Sequence, residues 1–145
     1  MKRFEFPLER VRCWRREQAG LEELKLRQLR SEMAGLQAAR RQIESDREQS
    51  ERHVLGQACV DSLSLQSLDS YRQYAAGKMR RLDGRIRQWE AKVAEQLNKV
   101  IEARRKFELL DRLREAAHHE WRTALNKEQE ALAAELFLAK PRRKG

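Results

Sequence analysis

Apolar residues recur along this chain at alternating steps of three and four. From Met79 the steps fall on Leu82, Ile86, Trp89, Val93, Gln96, Val100, Ala103, Phe107 and Leu110, and nine of these ten positions are apolar. A seam sustained for more than four heptads predicts a coiled-coil helix rather than the broader face of a globular one. Beyond Leu110 the same register meets Arg114, Ala117 and Trp121, and the stripe drifts towards Leu113, Leu125, Leu132 and Leu136.

The first half of the chain is less regular. Leu26, Leu29, Met33, Leu36, Ile43 and Val54 share one seam, which Arg40, Arg47 and Ser50 interrupt. Closer to the start, Phe4, Leu8, Val11, Trp14, Leu21 and Leu24 form a wider apolar stripe. Gly20 and Gly35 each cost a helix roughly 1 kcal/mol relative to Ala. Such a helix needs a partner, and the nearest is the other half of the chain.

Punctuation places the boundaries. Pro7 suits a first turn, where its fixed φ and missing N–H are tolerated, and Pro141 stops what precedes it. The one break between them is Gly56 to Ser70, with four serines, two aspartates and no basic residue. Ser and Asp compete for backbone hydrogen bonds and favour caps, so Ser67, or Asp61 earlier, is a plausible N-cap. The expected organisation is one coiled-coil domain over 1–145: helix 1 about 7–57, a link about 58–65, helix 2 about 66–139 and a basic tail 140–145. Helices joined by a short link fold back on each other. The fold class is therefore all-α, an antiparallel coiled-coil hairpin with a longer C-terminal helix. Centring the turn near residue 62 sets Leu8 opposite about 116 and Phe4 opposite about 120. Phe4, Phe6, Trp14 and Trp121 then gather at the open end.

Composition agrees with long helices. Of 145 residues, 38% are charged and only 6% aromatic, with Gly 6 and Pro 2. A compact globule carries about a quarter charged residues, so a thick core is excluded. No apolar run approaches the roughly 20 residues that span a bilayer, and the basic N-terminus lacks the apolar stretch of a secretory signal. Cys13 and Cys59 would lie about 70 Å apart on a straight helix, too far for a disulfide, and read as free thiols of a cytoplasmic protein.

The net charge of +9 is uneven. Residues 1–16 carry +4, residues 78–106 carry +6, residues 107–139 carry −3 and the tail adds +4. Basic ends of this kind suit an acidic protein, a membrane surface or nucleic acid. No glycine-rich phosphate loop and no Cys or His set with metal spacing is present. His118 and His119 point about 100° apart on a helix. A two-helix hairpin encloses no pocket that would shift a carboxylate's pKa for catalysis. The expectation is a non-enzyme with no catalytic residue, no cofactor, no metal and no small-molecule substrate. The candidate partner-binding residues are Phe4, Phe6, Leu8, Arg12, Trp14, Trp121 and Arg122, aromatics flanked by Arg that crowd where a hairpin is too thin to bury them.

The opening Met1 to Val11, with its aromatic-x-aromatic-x-Leu-Glu-x-Val spacing in Phe4, Phe6, Leu8, Glu9 and Val11, resembles the start of the flagellar export FliJ proteins. Ala103-Arg104-Arg105 followed by Leu110, Leu113, Trp121 and Glu128-Gln129 is similar to that family's C-terminal helix, and Leu68, Tyr71 and Tyr74 look like the start of its second helix. Trp121 stands where Tyr is frequent, and His118-His119 interrupt a usually Arg/Glu-rich run. The resemblance implies a non-enzymatic coiled coil similar to the central stalk of rotary ATPases. It also implies three partners: the flagellar export ATPase, the export-gate membrane protein and the export chaperones. It places the protein in the cytoplasm, peripheral to the inner face of the cell membrane at the flagellar base. Stalks of virulence type III secretion systems or of rotary ATPases share the same physics, and a basic nucleic-acid-binding coiled coil is the weaker alternative.

Overall fold

The computed structural model describes residues 2–141. Arg142, Arg143 and Lys144 of the expected basic tail lie outside the described residues. The chain is all-α. Helix α1 runs Glu9–Leu55 over 47 residues and α2 runs Ser62–Ala139 over 78. The two pack against each other as a hairpin with a longer C-terminal helix.

Each boundary has a local cause. Helix α1 starts at Glu9 rather than at about residue 7. Pro7 instead occupies a turn in which the Glu9 amide donates to the Phe6 carbonyl at 3.1 Å. Its missing N–H costs nothing there. At the other end the Gly56 amide still reaches the Arg52 carbonyl at 2.9 Å. A Cβ on Gly56 would lie 2.7 Å from that oxygen, so only glycine closes the helix this tightly. Helix α2 begins four residues earlier than about residue 66, because Asp61 and not Ser67 is the cap. The Ser64 amide donates to Asp61 Oδ1 at 2.8 Å, and the Leu65 amide to the Asp61 carbonyl at 3.2 Å.

Hydrogen bonds from the Ser64 side chain and from the Ser64 amide hold the Asp61 carboxyl below its ordinary value of 3.8. A depressed folded-state pKa stabilises the fold above the unfolded value, and the contribution is lost as pH falls through the folded one. Asp61→Ala is therefore expected to lower the thermal midpoint at neutral pH. The gap to wild type closes on acidification below the ordinary carboxylate range, as circular dichroism melts at several pH values would show.

The chain forms two compact units, one of Met1–Gly20 with Ile101–Gly145 and one of Leu21–Val100. In the second unit, Leu26, Leu68, Ala75, Ile86 and Val100 are buried. Arg40, Arg47 and Ser50 keep their places in the α1 seam, where all three are half-buried. The arginines fit because their stems lie along the seam while their heads reach carboxylates at its edge. Arg40 Nε donates to Asp83 at 2.6 Å, and Arg47 lies 3.9 Å from Glu51, which accepts from Arg72 at 2.9 Å. The Arg40–Asp83 and Glu51–Arg72 pairs are centred on the Asp61–Ser62 step. The stripe that includes Leu21 and Leu24 does not face the partner helix. Both residues are about half exposed. Their spacing leaves them off the seven-residue line that carries Leu26 and Met33 inward.

Gln96 occupies the seam of α2 and is buried. Its amide donates to the Glu22 carbonyl at 3.0 Å and to the Glu22 carboxylate. That bond holds Glu22 below its ordinary range. A polar residue at a seam position sets register at a cost in stability. Replacing it by Leu adds apolar burial, so Gln96→Leu should raise stability by about 1 kcal/mol. It should also broaden the amide NMR signals of residues near 22 and 96 as registers mix. Sharp, single-register spectra from the variant would refute the register role.

Candidate partner-binding site

The site is built in the unit formed by the chain's two ends. Residues 2–6 precede α1 as a non-helical segment lying against α2. The Trp121 indole N–H donates to the Lys2 carbonyl at 3.0 Å. Phe4 meets the His118 ring edge-on at 4.9 Å and the Trp121 ring at 5.8 Å, and His118 and Trp121 are 5.7 Å apart. The Arg114 guanidinium lies 5.9 Å from the Phe4 ring centre. Three rings thus fasten the N-terminal segment with edge and tilted contacts of the kind aromatic quadrupoles favour.

Behind this cluster is an ion network. Arg12 sends Nε and Nη2 to Asp111 Oδ1 at 3.0 and 2.9 Å, and Nη1 to Glu9 Oε1 at 3.0 Å. Its head also lies 5.5 Å from the Phe107 ring centre. Glu9 turns its other oxygen to Arg114 at 3.4 Å. The Asp111 hydrogen bond raises the Arg12 pKa further above its already high value, so its charge is permanent.

The expected site residues do not all meet. Phe4 and Trp121 come together. His118, which is not among the expected site residues, joins them; its i, i+3 spacing from Trp121 is the signal in the sequence. Arg12 is 14% exposed at its side chain and committed to carboxylates on both helices, so it braces the site from beneath. Trp14 is not part of the ring cluster. It is 49% exposed and carries the Arg15 guanidinium at 4.7 Å from its ring centre. Its position explains this: Arg12 and Ala19, seven residues apart, face the partner helix, and Trp14 falls outside that line. Phe6 is half-buried and helps line an open cleft of about 800 Å³ with Phe4, Pro7, Arg3, Arg10 and Arg114. Leu8 is 42% exposed and Arg122 is exposed.

The arrangement offers apolar rings beside guanidinium groups on an open surface, which suits a partner presenting apolar and acidic side chains. Cys13 and Cys59 are free thiols, the first half-buried and the second exposed. Among the described residues, no helix is long and apolar enough to cross a membrane, and no group of three or more His, Cys, Asp or Glu is placed to hold a metal ion. No protein-family model, curated protein or solved structure matches the chain.

Proposed function

We propose that this chain is a non-enzymatic stalk component of the flagellar protein export apparatus. Its paired ends bind the export ATPase ring, and the protein links that ring to the export gate and the export chaperones. It works in the cytoplasm, peripheral to the membrane at the flagellar base. The observation that carries the reading is the Phe4–His118–Trp121 cluster with its arginines, set where N- and C-terminal segments meet. This is where the resemblance to the FliJ proteins puts the ATPase contact. The role asks for binding rather than catalysis, and rings braced by Arg12, Glu9 and Asp111 lose little entropy on binding.

The test is pull-down and ATP hydrolysis with the purified cognate export ATPase. Wild type is expected to bind and to change the hydrolysis rate. The Phe4→Ala/Trp121→Ala double variant should bind about tenfold or more weakly, as loss of two aromatic anchors implies. Absence of binding by wild type overturns the proposal. A stalk of a virulence secretion system or rotary ATPase is the alternative, and the neighbouring genes separate it from the flagellar one. The net +9 charge favours nucleic acid as a further reading. Duplex DNA binding that falls steeply with salt is its signature.

A further inference from the structure

From Asn126 every described residue of α2 is exposed. Leu132 and Leu136 fall within about 20° of Leu125 around the helix, so they prolong the line through that half-buried residue. The last turn departs from this one-sided pattern. Leu136, Phe137, Leu138 and Ala139 are consecutive, and at about 100° per residue they point to all sides of the helix. Exposure rises along the segment, from 54% at Leu132 through 69% and 75% at Leu136 and Phe137 to 82% at Leu138. A partner helix or a protein groove covers one stripe of a helix. A turn that is apolar all round needs apolar surroundings on every side.

Charge narrows the surroundings further. Lys140 follows the apolar turn directly, and Arg142, Arg143 and Lys144 come next in the sequence. From Leu136 onward the chain carries these four cationic side chains and no acidic one, because Glu128, Glu130 and Glu135 all precede the turn. A cluster of four Lys and Arg beside an exposed apolar helix end is the pattern that anionic lipid headgroups attract.

We infer that the segment from Leu132 to Lys144 binds the surface of an anionic lipid bilayer. Leu132 and the last turn of α2 enter the interface, and the basic residues meet lipid phosphates. Length agrees with this. Leu132 to Ala139 spans about 10 Å of helix, which matches the depth at which interfacial helices bury their apolar side chains. It falls well short of the about 30 Å needed to cross the hydrocarbon core. The long stems of Lys and Arg let their charges reach the phosphates while the apolar turn is immersed. Nucleic acid would engage the same cations but leave Leu136, Phe137 and Leu138 in water. The inference rests on the proposed function only for its peripheral membrane setting. Vesicle binding can fail while ATPase binding holds, and the converse.

Co-sedimentation of the full chain with lipid vesicles tests it. Binding is expected to vesicles of phosphatidylglycerol and phosphatidylcholine in equal parts, and should be about tenfold or more weaker with phosphatidylcholine alone. Leu136→Gln/Phe137→Gln/Leu138→Gln keeps every charge and should weaken binding about tenfold or more. Lys140→Gln/Arg142→Gln/Arg143→Gln/Lys144→Gln keeps the apolar turn and should weaken it by a similar factor. Leu136, Phe137 and Leu138 are exposed and Gln suits a helix, so circular dichroism should show unchanged helix content. Phe137→Trp should add fluorescence that lipids brominated in their acyl chains quench. No binding of the wild type to the mixed vesicles overturns the inference. So does vesicle binding indifferent to the Leu136/Phe137/Leu138 variant, which is adsorption by charge alone. Binding of duplex DNA through the four cations without binding of vesicles overturns it as well.

Discussion

Arg12→Ala is expected to destabilise the unit formed by the chain's ends by about 2 kcal/mol, a sizeable part of what holds a small helical unit together. The substitution removes three charge-assisted hydrogen bonds, two to Asp111 and one to Glu9. It leaves two half-buried carboxylates close to each other without their common counter-ion, and breaking such a pair from one side costs more than the pair contributes. It also strips the guanidinium from Phe107. The figure is held to about 2 rather than 4 kcal/mol because Asp111 and Glu9 are 35% and 43% exposed and water recovers part of the loss. Arg12→Lys keeps the charge but cannot bond both carboxylates in fork geometry, so about half the loss should remain. Urea titration followed by Trp fluorescence measures the effect, since Trp14 and Trp121 both belong to this unit. An unchanged midpoint for Arg12→Ala would show that the network contributes nothing net. The double variant Arg12→Ala/Asp111→Ala should recover part of the stability, because it leaves one fewer unpaired charge.

Ala75→Leu is the second large effect, and its cause is volume rather than charge. Ala75 has no exposed surface at all, although it lies in a pair of helices with no third layer. A methyl group can be fully covered there only if the backbones approach closely. Leu needs the helices to separate or its own χ angles to strain, and overpacking of this kind costs typically about 1–3 kcal/mol. We expect about 3 kcal/mol, because a two-helix pair has no other core to absorb the displacement. The same substitution at half-buried Ala103 should cost under about 1 kcal/mol, since a partly open position can turn the larger side chain outward. Equal losses at the two positions would argue against close approach at Ala75. Denaturant midpoints of the two variants decide it.

Much of the architecture was legible in the residues. The ten seam positions from Met79 to Leu110 are all buried or half-buried. The turn centre near residue 62 could be read from the Ser- and Asp-rich break. Boundaries were less legible. Asp61 and Ser67 offer the same capping chemistry, and only the Ser64 amide on Asp61 decides between them. Seam arginines looked like interruptions because a linear pattern does not show that Asp83 lies beside Arg40 across the pair.

The candidate site was legible only in part. Phe4 and Trp121 are 117 residues apart in sequence, and the hairpin register alone was enough to bring them together. His118 was missed, since an adjacent histidine pair invites a metal question rather than a stacking one. Trp14 and Leu8 were grouped with the cluster because aromatic and apolar spacing near the N-terminus resembles a buried stripe. Burial follows the line from Arg12 through Ala19 to Leu26, and two of those three residues are ones a hydropathy reading passes over.

The sequence by itself therefore determined that this protein is two long helices folded back on each other, and roughly where it turns. Periodicity, proline placement and capping residues act over a few positions and are written in order along the chain. Only the tertiary structure decided which side of α1 faces α2, which arginines are committed to carboxylates, and which apolar residues stay in water. Those outcomes depend on the rotation of one helix against another. Side chains 43 to 99 residues apart set that rotation together, through Arg12 with Asp111, Arg40 with Asp83 and Gln96 with Glu22.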